Sequence, residues 1–579
     1  MLNPGKKSEW ADNRLYLAGR PRLEAALAAA PDLYELVATR TGGVTPLRRA
    51  DGKALFSRYD PRREAERWLA TQSLRPDDLP VFIGFNPHLI AACGERPLVV
   101  VEEDAALLRA LMDGPPLDML DADVHLVLDP DGPLLANAIR ASFDLFRHLE
   151  VRVLRVPHVE NDAWVLAMTS TALEIQREVS LNALTIASQS QAWMKAVAEN
   201  LVAWTESPES GAIIDRLEGE TAILVAAGPS LEKNGHLLAE VRDRALVIAV
   251  DTALRRLDRL GIVPDIVVGI DTNEVNAWDV NDVGAAALQS LLAADPVAHP
   301  KLVRAFRGPK LFLRTINCVL DDEGGLLPDP LPIDLFLERI AGAPFSVSWQ
   351  SGGSVSTNAL FLAFILGIRR VIMIGQDLAF TGDRLHARGV AHEDAWITAL
   401  DRFRSREGME RRARRDSFEV PAWGGGLVRT SPVLREYLLW IERSIERGFA
   451  RSMEIIDATE GGAAKRGTRR IAFQEALALL EEGRHPRTRL LEALSRAPRA
   501  ARAGWRERAE DFARLARACA AAPERVEKEL PLARWISLTA ELGSRGMAPA
   551  ARAELLRAAH TAAARYIATL LEKALASLD

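Results

Sequence analysis

The 579-residue sequence holds only three cysteines, Cys93, Cys318 and Cys519. They are odd in number, far apart and form no Cys-x-x-Cys pair. This excludes a disulfide framework and a zinc knuckle and fits a reducing compartment. Long apolar runs are also missing. The longest, Ala359 to Gly367 (ALFLAFILG), is far short of the roughly 20 residues that span a bilayer. The N-terminal stretch MLNPGKKSEWADNR has lysines but no apolar segment behind them, so no secretory signal is expected. There is no surplus of positive charge: 73 Lys and Arg stand against 79 Asp and Glu, for a net charge of −6. Bulk attraction to nucleic acid or anionic lipid is therefore absent. A soluble, cytoplasmic protein that neither binds nucleic acid nor inserts into a membrane is expected. The composition that remains, 48% hydrophobic and 26% charged, is that of a globular protein too long for one ordinary core.

Four regions follow along the chain. Residues 1–160 read as an N-terminal α/β domain. Its first 60 or so residues look like a helical lead-in and polar loops. Strands are then expected at 80–84, 97–102 and 124–129, alternating with helical spacers in a parallel sheet. Residues 161–210 lack proline over most of their length and carry a helical pattern, a bridge. Residues 211–470 read as a second α/β domain. Its apolar strands 221–227, 245–250, 264–270, 310–313 and 371–375 alternate with helices, of which Leu231 to Arg244 reads as one amphipathic helix. The result is a doubly wound, Rossmann-like sheet. Residues 471–579 are rich in Ala, Leu, Glu and Arg and are expected as a C-terminal helical bundle. Its interleaved arginines and glutamates read first as a solvated helix face.

Five motifs could carry chemistry. Gly228-Pro229-Ser230 turns a strand into a helix, a place where backbone N–H groups meet an anion. It matches neither GxGxxG nor GxxxxGK[ST], and an ordinary strand–helix turn explains it equally. Asp251 and Asp271 end two strands of the same sheet, where open sheets bind ligands. Thr272 and Asn273 add a hydroxyl and an amide, while helix capping also accounts for Asp251-Thr252. Ser351 to Asn358, with Gly353 and Ser354 at its centre, is a second glycine-rich helix entry. Gln376 and Asp377 end another strand, and His386 follows on a polar stretch. Among ten histidines it is the best-placed general base, with His392 as a rival. Asp457 to Thr468 is glycine-dense and ends in Lys465 and Arg466, with Arg469 and Arg470 next. It suits an anion, or a plain linker.

The ordered set GPSL, IAVDTAL, GIVPDIVVGID, GGSVSTNAL, IGQDLAFT and ATEGGA, over residues 221–470, resembles the motility-associated factor (Maf) glycosyltransferases. The central domain also resembles the bacterial sialyltransferase fold. The resemblance implies transfer of a nonulosonic acid of sialic, pseudaminic or legionaminic type. The donor would be a CMP-sugar and the acceptor Ser/Thr of flagellin. It implies that Gly228, Pro229 and Ser230 hold the CMP phosphate. Asp251, Asp271, Thr272 and Asn273 would line the nucleotide and sugar pocket, with Gly353 and Ser354 facing the donor sugar. Gln376, Asp377 and His386 would lie near the reacting centre. Flagellin and the CMP-nonulosonic acid are the expected partners. No cofactor and no metal enter this scheme, and the chain has no clear DxD motif. Two alternatives stand beside it. One is an ATP- and magnesium-dependent enzyme similar to the archaeal 6-hydroxymethylpterin diphosphokinases, with Asp251, Asp271 and Asp377 on the metal. The other is a non-catalytic flagellin chaperone or adaptor.

Overall fold

Thr221-Ala222-Ile223-Leu224-Val225 is buried at every position. A strand does this only when helices cover both faces of its sheet, so its sequence is a continuous apolar run rather than an alternating one. The computed structural model describes residues 20–577. Residues 95, 116, 118–122, 144–147, 149, 316, 321–325, 350–351, 392–399, 401–407, 409–410, 412–413, 447, 483–485 and 545–546 fall outside the description. His392 and Ser351 are among the latter.

The chain forms two compact units. The first comprises Met1–Ser188, Cys318–Asp329 and Leu538–Gly546, and the second Gln189–Asn317, Pro330–Ser537 and Met547–Asp579. The boundary near 188 falls inside one helix, α1 (Asp162–Thr205), where the sequence suggested a bridge.

In the first unit a hairpin of β1 (Tyr34–Ala38) and β2 (Val44–Arg48) occupies a region expected to be helix and loops. Its turn contains Gly42 at φ +91°, a conformation glycine adopts without strain. A four-stranded sheet follows: β3 (Asp78–Ile83), β4 (Leu98–Glu102), β5 (Val124–Leu128) and β6 (Glu150–Arg155), in the order β5-β4-β3-β6. All its pairs are parallel.

The second unit is built on eight strands: β7 (Thr221–Val225), β8 (Leu246–Val250), β9 (Ile266–Gly269), β10 (Leu291–Ala294), β11 (Lys310–Phe312), β12 (Arg370–Ile374), β13 (Glu454–Asp457) and β14 (Arg469–Arg470). Their order is β11-β10-β9-β8-β7-β12-β13-β14, and every neighbouring pair is parallel. The chain winds outward from β7 to one edge, returns to β12 and winds to the other. The sheet is therefore doubly wound, as expected, and its topological switch point lies between β7 and β12. One apolar cluster covers each face: Leu224, Ile248, Val268 and Met373 point to one, Ile223, Val225, Ala249 and Ile374 to the other.

Leu231 to Arg244 is not one helix. A single α-turn, Leu231–Asn234, gives way to 3-10 turns at Gly235–Glu240 and Arg242–Arg244. The Asn234 amide bonds Ala458 O and Glu460 Oε1, and Gly235 is a poor helix residue. The tail is helical as expected. Its long members α4 (Trp505–Ala521) and α5 (Pro549–Ala576) pack along each other. The ring of Phe512 stands edge-on to Phe336 at 4.8 Å. Except for Leu538–Gly546, these helices belong with the central sheet. Among the described residues no helix is long and apolar enough to cross a membrane.

Past the end of β10, Asp295 accepts Arg314 Nη1 at 3.0 and 3.1 Å, while Arg314 Nε bonds Asp334. All three side chains are buried. Removing one member of such a triad strands a charge in the interior. Arg314→Met should therefore lower the unfolding free energy of the central unit by about 3–5 kcal/mol, read as a drop in its urea midpoint.

Candidate functional site

The carboxyl ends of β7 and β12 are held together by one carboxylate. Asp377, three residues past β12, accepts the Ser230 N–H at 3.2–3.3 Å, the Ser230 hydroxyl at 2.5 Å and the Thr381 hydroxyl at 2.5 Å. Burial pushes its carboxyl up from the ordinary range, opposed by those hydroxyls and by Lys465. The turn beside it leaves no room for side chains. A Cβ on Gly228 would stand 2.1 Å from Asp377 Oδ2, and one on Gly375 would stand 2.1 Å from Ala226 O. Gly462 reaches equally close to the Asp377 backbone.

Around this crossing opens a cleft of about 440 Å³. Of the expected residues, Gly228, Asp271, Asn273, Gly353 and Ser354 line it, as do Gln376, Asp377 and His386. Pro229, Ser230, Asp251 and Thr272 do not. Ser230 is fully buried and gives both its donors to Asp377, so the turn does not present it to an anion. Thr272 turns its hydroxyl to Val297 O at 2.6 Å. Asp251 lies beneath the wall with no exposure.

Gln376 donates to Ser356 Oγ at 3.0 Å, while its buried carbonyl oxygen has no partner among the described residues. Ser354 caps α2 (Val355–Ile365) through its side chain. Gly353 is at φ +87° and abuts the ring of Tyr437, whose Cε1 would be 2.8 Å from a Cβ there. Ser356, within the expected 351–358 helix entry, also lines the cleft, while Tyr437, Ser431 and Asn276 are lining residues that the sequence did not single out. Tyr437 sits on α3 (Pro432–Glu446), delivered by a hairpin of Phe418–Pro421 and Leu427–Thr430. Phe380 N–H donates to Arg429 O and the Thr430 hydroxyl to Leu378 O, both at 2.8 Å. Ser431-Pro432 is a recognisable helix start, but nothing local says which face of the helix meets the cleft.

Three aspartates crowd one side. Thr252 donates to Asp251 Oδ1 from its N–H at 2.8 Å, and Asn276 reaches Asp271 at 3.5 Å. Asp251 Oδ2 and both oxygens of Asp279 are buried without a hydrogen-bond partner among the described residues. Burial lifts all three carboxyls. The Asp271 charge lifts Asp251 further, the Asp251 charge lifts Asp279, and that of Asp295 lifts Asp271. Asp279 is pushed up to about 9. Burial and the Asp271 charge together raise the Tyr437 phenol. Among the described residues no group of three His, Cys, Asp or Glu is arranged to hold a metal ion.

The basic loop after β13 serves the fold. Lys465 is buried on Asp457 at 3.0 Å, Arg466 pairs with Glu442 at 2.8 Å, and Arg470 bonds Trp423 O. Among the described residues no Lys or Arg lines the cleft.

A family model described as 6-hydroxymethylpterin diphosphokinase MptE-like matches residues 195–383, which contain every expected residue except His386. An uncharacterized protein of Treponema pallidum (strain Nichols) is 26% identical over 218 residues, 36% of this chain. The chain spans only about a third, 35%, of that curated relative's length. Among solved structures, the MAf glycosyltransferase from Magnetospirillum magneticum AMB-1 superposes with a TM-score of 0.59. The superposition covers 98% of this chain and 94% of that one at 14% identity. At that identity the likeness is one of fold.

Two outcomes test the geometry. Gly228→Ala should lower the unfolding free energy by about 1–3 kcal/mol through overpacking, seen in thermal melts. The second concerns the acids. An unfolded chain releases these protons in the ordinary carboxylate range, the folded one only at higher pH, so stability falls as pH rises across that window. Asp279→Asn should stabilise the protein by roughly 1–3 kcal/mol at about pH 8 and hardly at all near pH 4, as melts at the two pH values will read.

Proposed function

We propose that this chain is a glycosyltransferase. In this reading it moves a nonulosonic acid from a CMP-activated donor to serine or threonine of flagellin in the cytoplasm, a step needed for flagellum assembly and motility. One observation carries the reading. A cleft at the switch point is lined by eight of the twelve expected residues, in a chain that superposes over nearly its full length on a glycosyltransferase.

The chemistry follows from the lining. The donor is already activated, so the task is to receive the negative charge of the departing phosphate. With no Lys or Arg among the described residues of the wall, dipoles meet that charge: the hydroxyls of Ser354 and Ser356 and the N-terminal end of α2. The unsatisfied carbonyl of Gln376 accepts a hydrogen bond from a sugar hydroxyl or a base amine. His386 takes the proton of the acceptor hydroxyl as its oxygen attacks the anomeric carbon. The bond from that carbon to the phosphate oxygen breaks, CMP leaves with the electron pair, and the configuration inverts. Asp377 has its oxygens occupied by Ser230 and Thr381, which suits a group that holds the turn beneath the donor. The scheme uses no cofactor and no metal.

The match over residues 195–383 favours a second reading, an ATP-dependent diphosphokinase. AMP release with ATP and 6-hydroxymethylpterin would favour it. Flagellin binding with no covalent change would favour an adaptor. The transferase reading expects the mass of flagellin to rise by whole nonulosonic acid residues when protein, flagellin and a CMP-nonulosonate are combined. His386→Ala should slow that rise by about 10²–10⁴-fold with the donor KM little changed. No mass gain with any CMP-nonulosonate rules the reading out.

A further inference from the structure

His386 lies on a segment, 381–390, with no helix or strand and only a single bridge between Thr381 and Arg384. An imidazole on such a segment aims at one place only if neighbouring groups fix the backbone on both sides of it. The fixing groups are identifiable. The Thr381 hydroxyl is on Asp377. Ala387 N–H donates to Ala227 O at 2.8 Å. Gly389 passes so close to Arg259 that a Cβ would stand 2.1 Å from its Nη1.

A further anchor is Glu232. Its Oε1 accepts Arg384 Nη1 at 2.5 Å and the Arg388 N–H at 2.7 Å, and its Oε2 accepts Arg384 Nη2 at 3.2 Å. One carboxylate thus takes donors from two residues before His386 and two residues after it. The Arg384 guanidinium holds the Glu232 carboxyl below its ordinary range, so it stays charged. Glu232 itself stands two residues past Ser230, on the α-turn that follows the Gly228-Pro229-Ser230 turn. The clamp therefore ties the histidine loop to the turn pinned by Asp377.

We propose that Glu232 is a positioning residue that holds the 384–388 segment and so fixes His386 at the cleft. The inference rests on the reading of His386 as general base. A bidentate carboxylate–guanidinium pair adds directional hold as well as charge, and the Arg388 N–H makes the hold two-sided.

Two measurements on the full chain test it. In hydrogen–deuterium exchange, Glu232→Gln should speed exchange in the 384–390 peptide about tenfold, with the β7 and β12 peptides unchanged. Glu232→Asp, which keeps the charge, should fall between. In CMP release from CMP-N-acetylneuraminic acid or whichever CMP-nonulosonate is turned over, Glu232→Gln should lower kcat about tenfold or more and leave KM within about twofold. The same change in a His386→Ala background should have no further effect, because a residue acting through His386 has nothing left to act on. Unchanged exchange at 384–390 overturns the proposal whatever the activity. An equal loss in the His386→Ala background also overturns it. Wild-type CMP release by His386→Ala overturns the base assignment instead, and the exchange data alone then decide whether Glu232 holds the loop.

Discussion

The Asp377–Ser230 contact is the constraint from which the site follows. Two parallel strands that lead their chains away in opposite directions leave a gap beyond their ends. Here that gap is bridged by a carboxylate from one side and a serine from the other. The bridge needs very close backbone approach, and the three surrounding glycines supply it by lacking a Cβ. Because Asp377 also accepts Thr381, the start of the histidine loop depends on the same group. The buried carboxyl is tolerated because every hydrogen bond around it favours the charged form that burial disfavours.

The acids on the other side show the opposite arrangement. Asp251 and Asp279 leave carboxylate oxygens buried and unpartnered among the described residues, and the Asp251 charge raises Asp279 as that of Asp271 raises Asp251. Two carboxyls in one dry site share protons rather than ionise together. Of the three, Asp271 lines the cleft, and Asp251 and Asp279 lie behind it.

The sheet was legible because a strand buried on both faces is a continuous apolar run, and β7, β8, β9 and β12 are such runs. The residues at their ends were legible for the same reason, since strand ends share one edge. What escaped were elements whose meaning is not local. β6 alternates charged and apolar residues as an edge strand does. β10 is a short Leu-Leu-Ala-Ala. The helix carrying Tyr437 shows an apolar stripe but not what the stripe meets. Ser230 and Lys465 were misjudged on one principle: their types suit an anion, but each has a buried aspartate as partner, brought from 147 and 8 residues away. Sequence shows which groups can bind charge, and only the fold shows which are already bound.

That distinction bears on how the proposed anionic donor is held in a cleft whose described wall carries no Lys or Arg. A Lys or Arg beside a departing phosphate gains much of its attraction already with the intact donor. Dipoles fixed by the fold, as at the Ser354-capped start of α2, respond instead to charge as it develops, and need no reorganisation when it does. Dipoles act usefully only if they are rigid. The Ser354–Ser356–Gln376 chain of hydrogen bonds and the packing of Tyr437 on Gly353 supply that rigidity on one wall. The Glu232 clamp does so on the other. Two basic residues near the site serve this framing: Arg384 on Glu232 and Lys465 on Asp457. A cleft built this way exchanges ground-state grip for placement, which is the arrangement that the proposed transfer from an already activated donor requires.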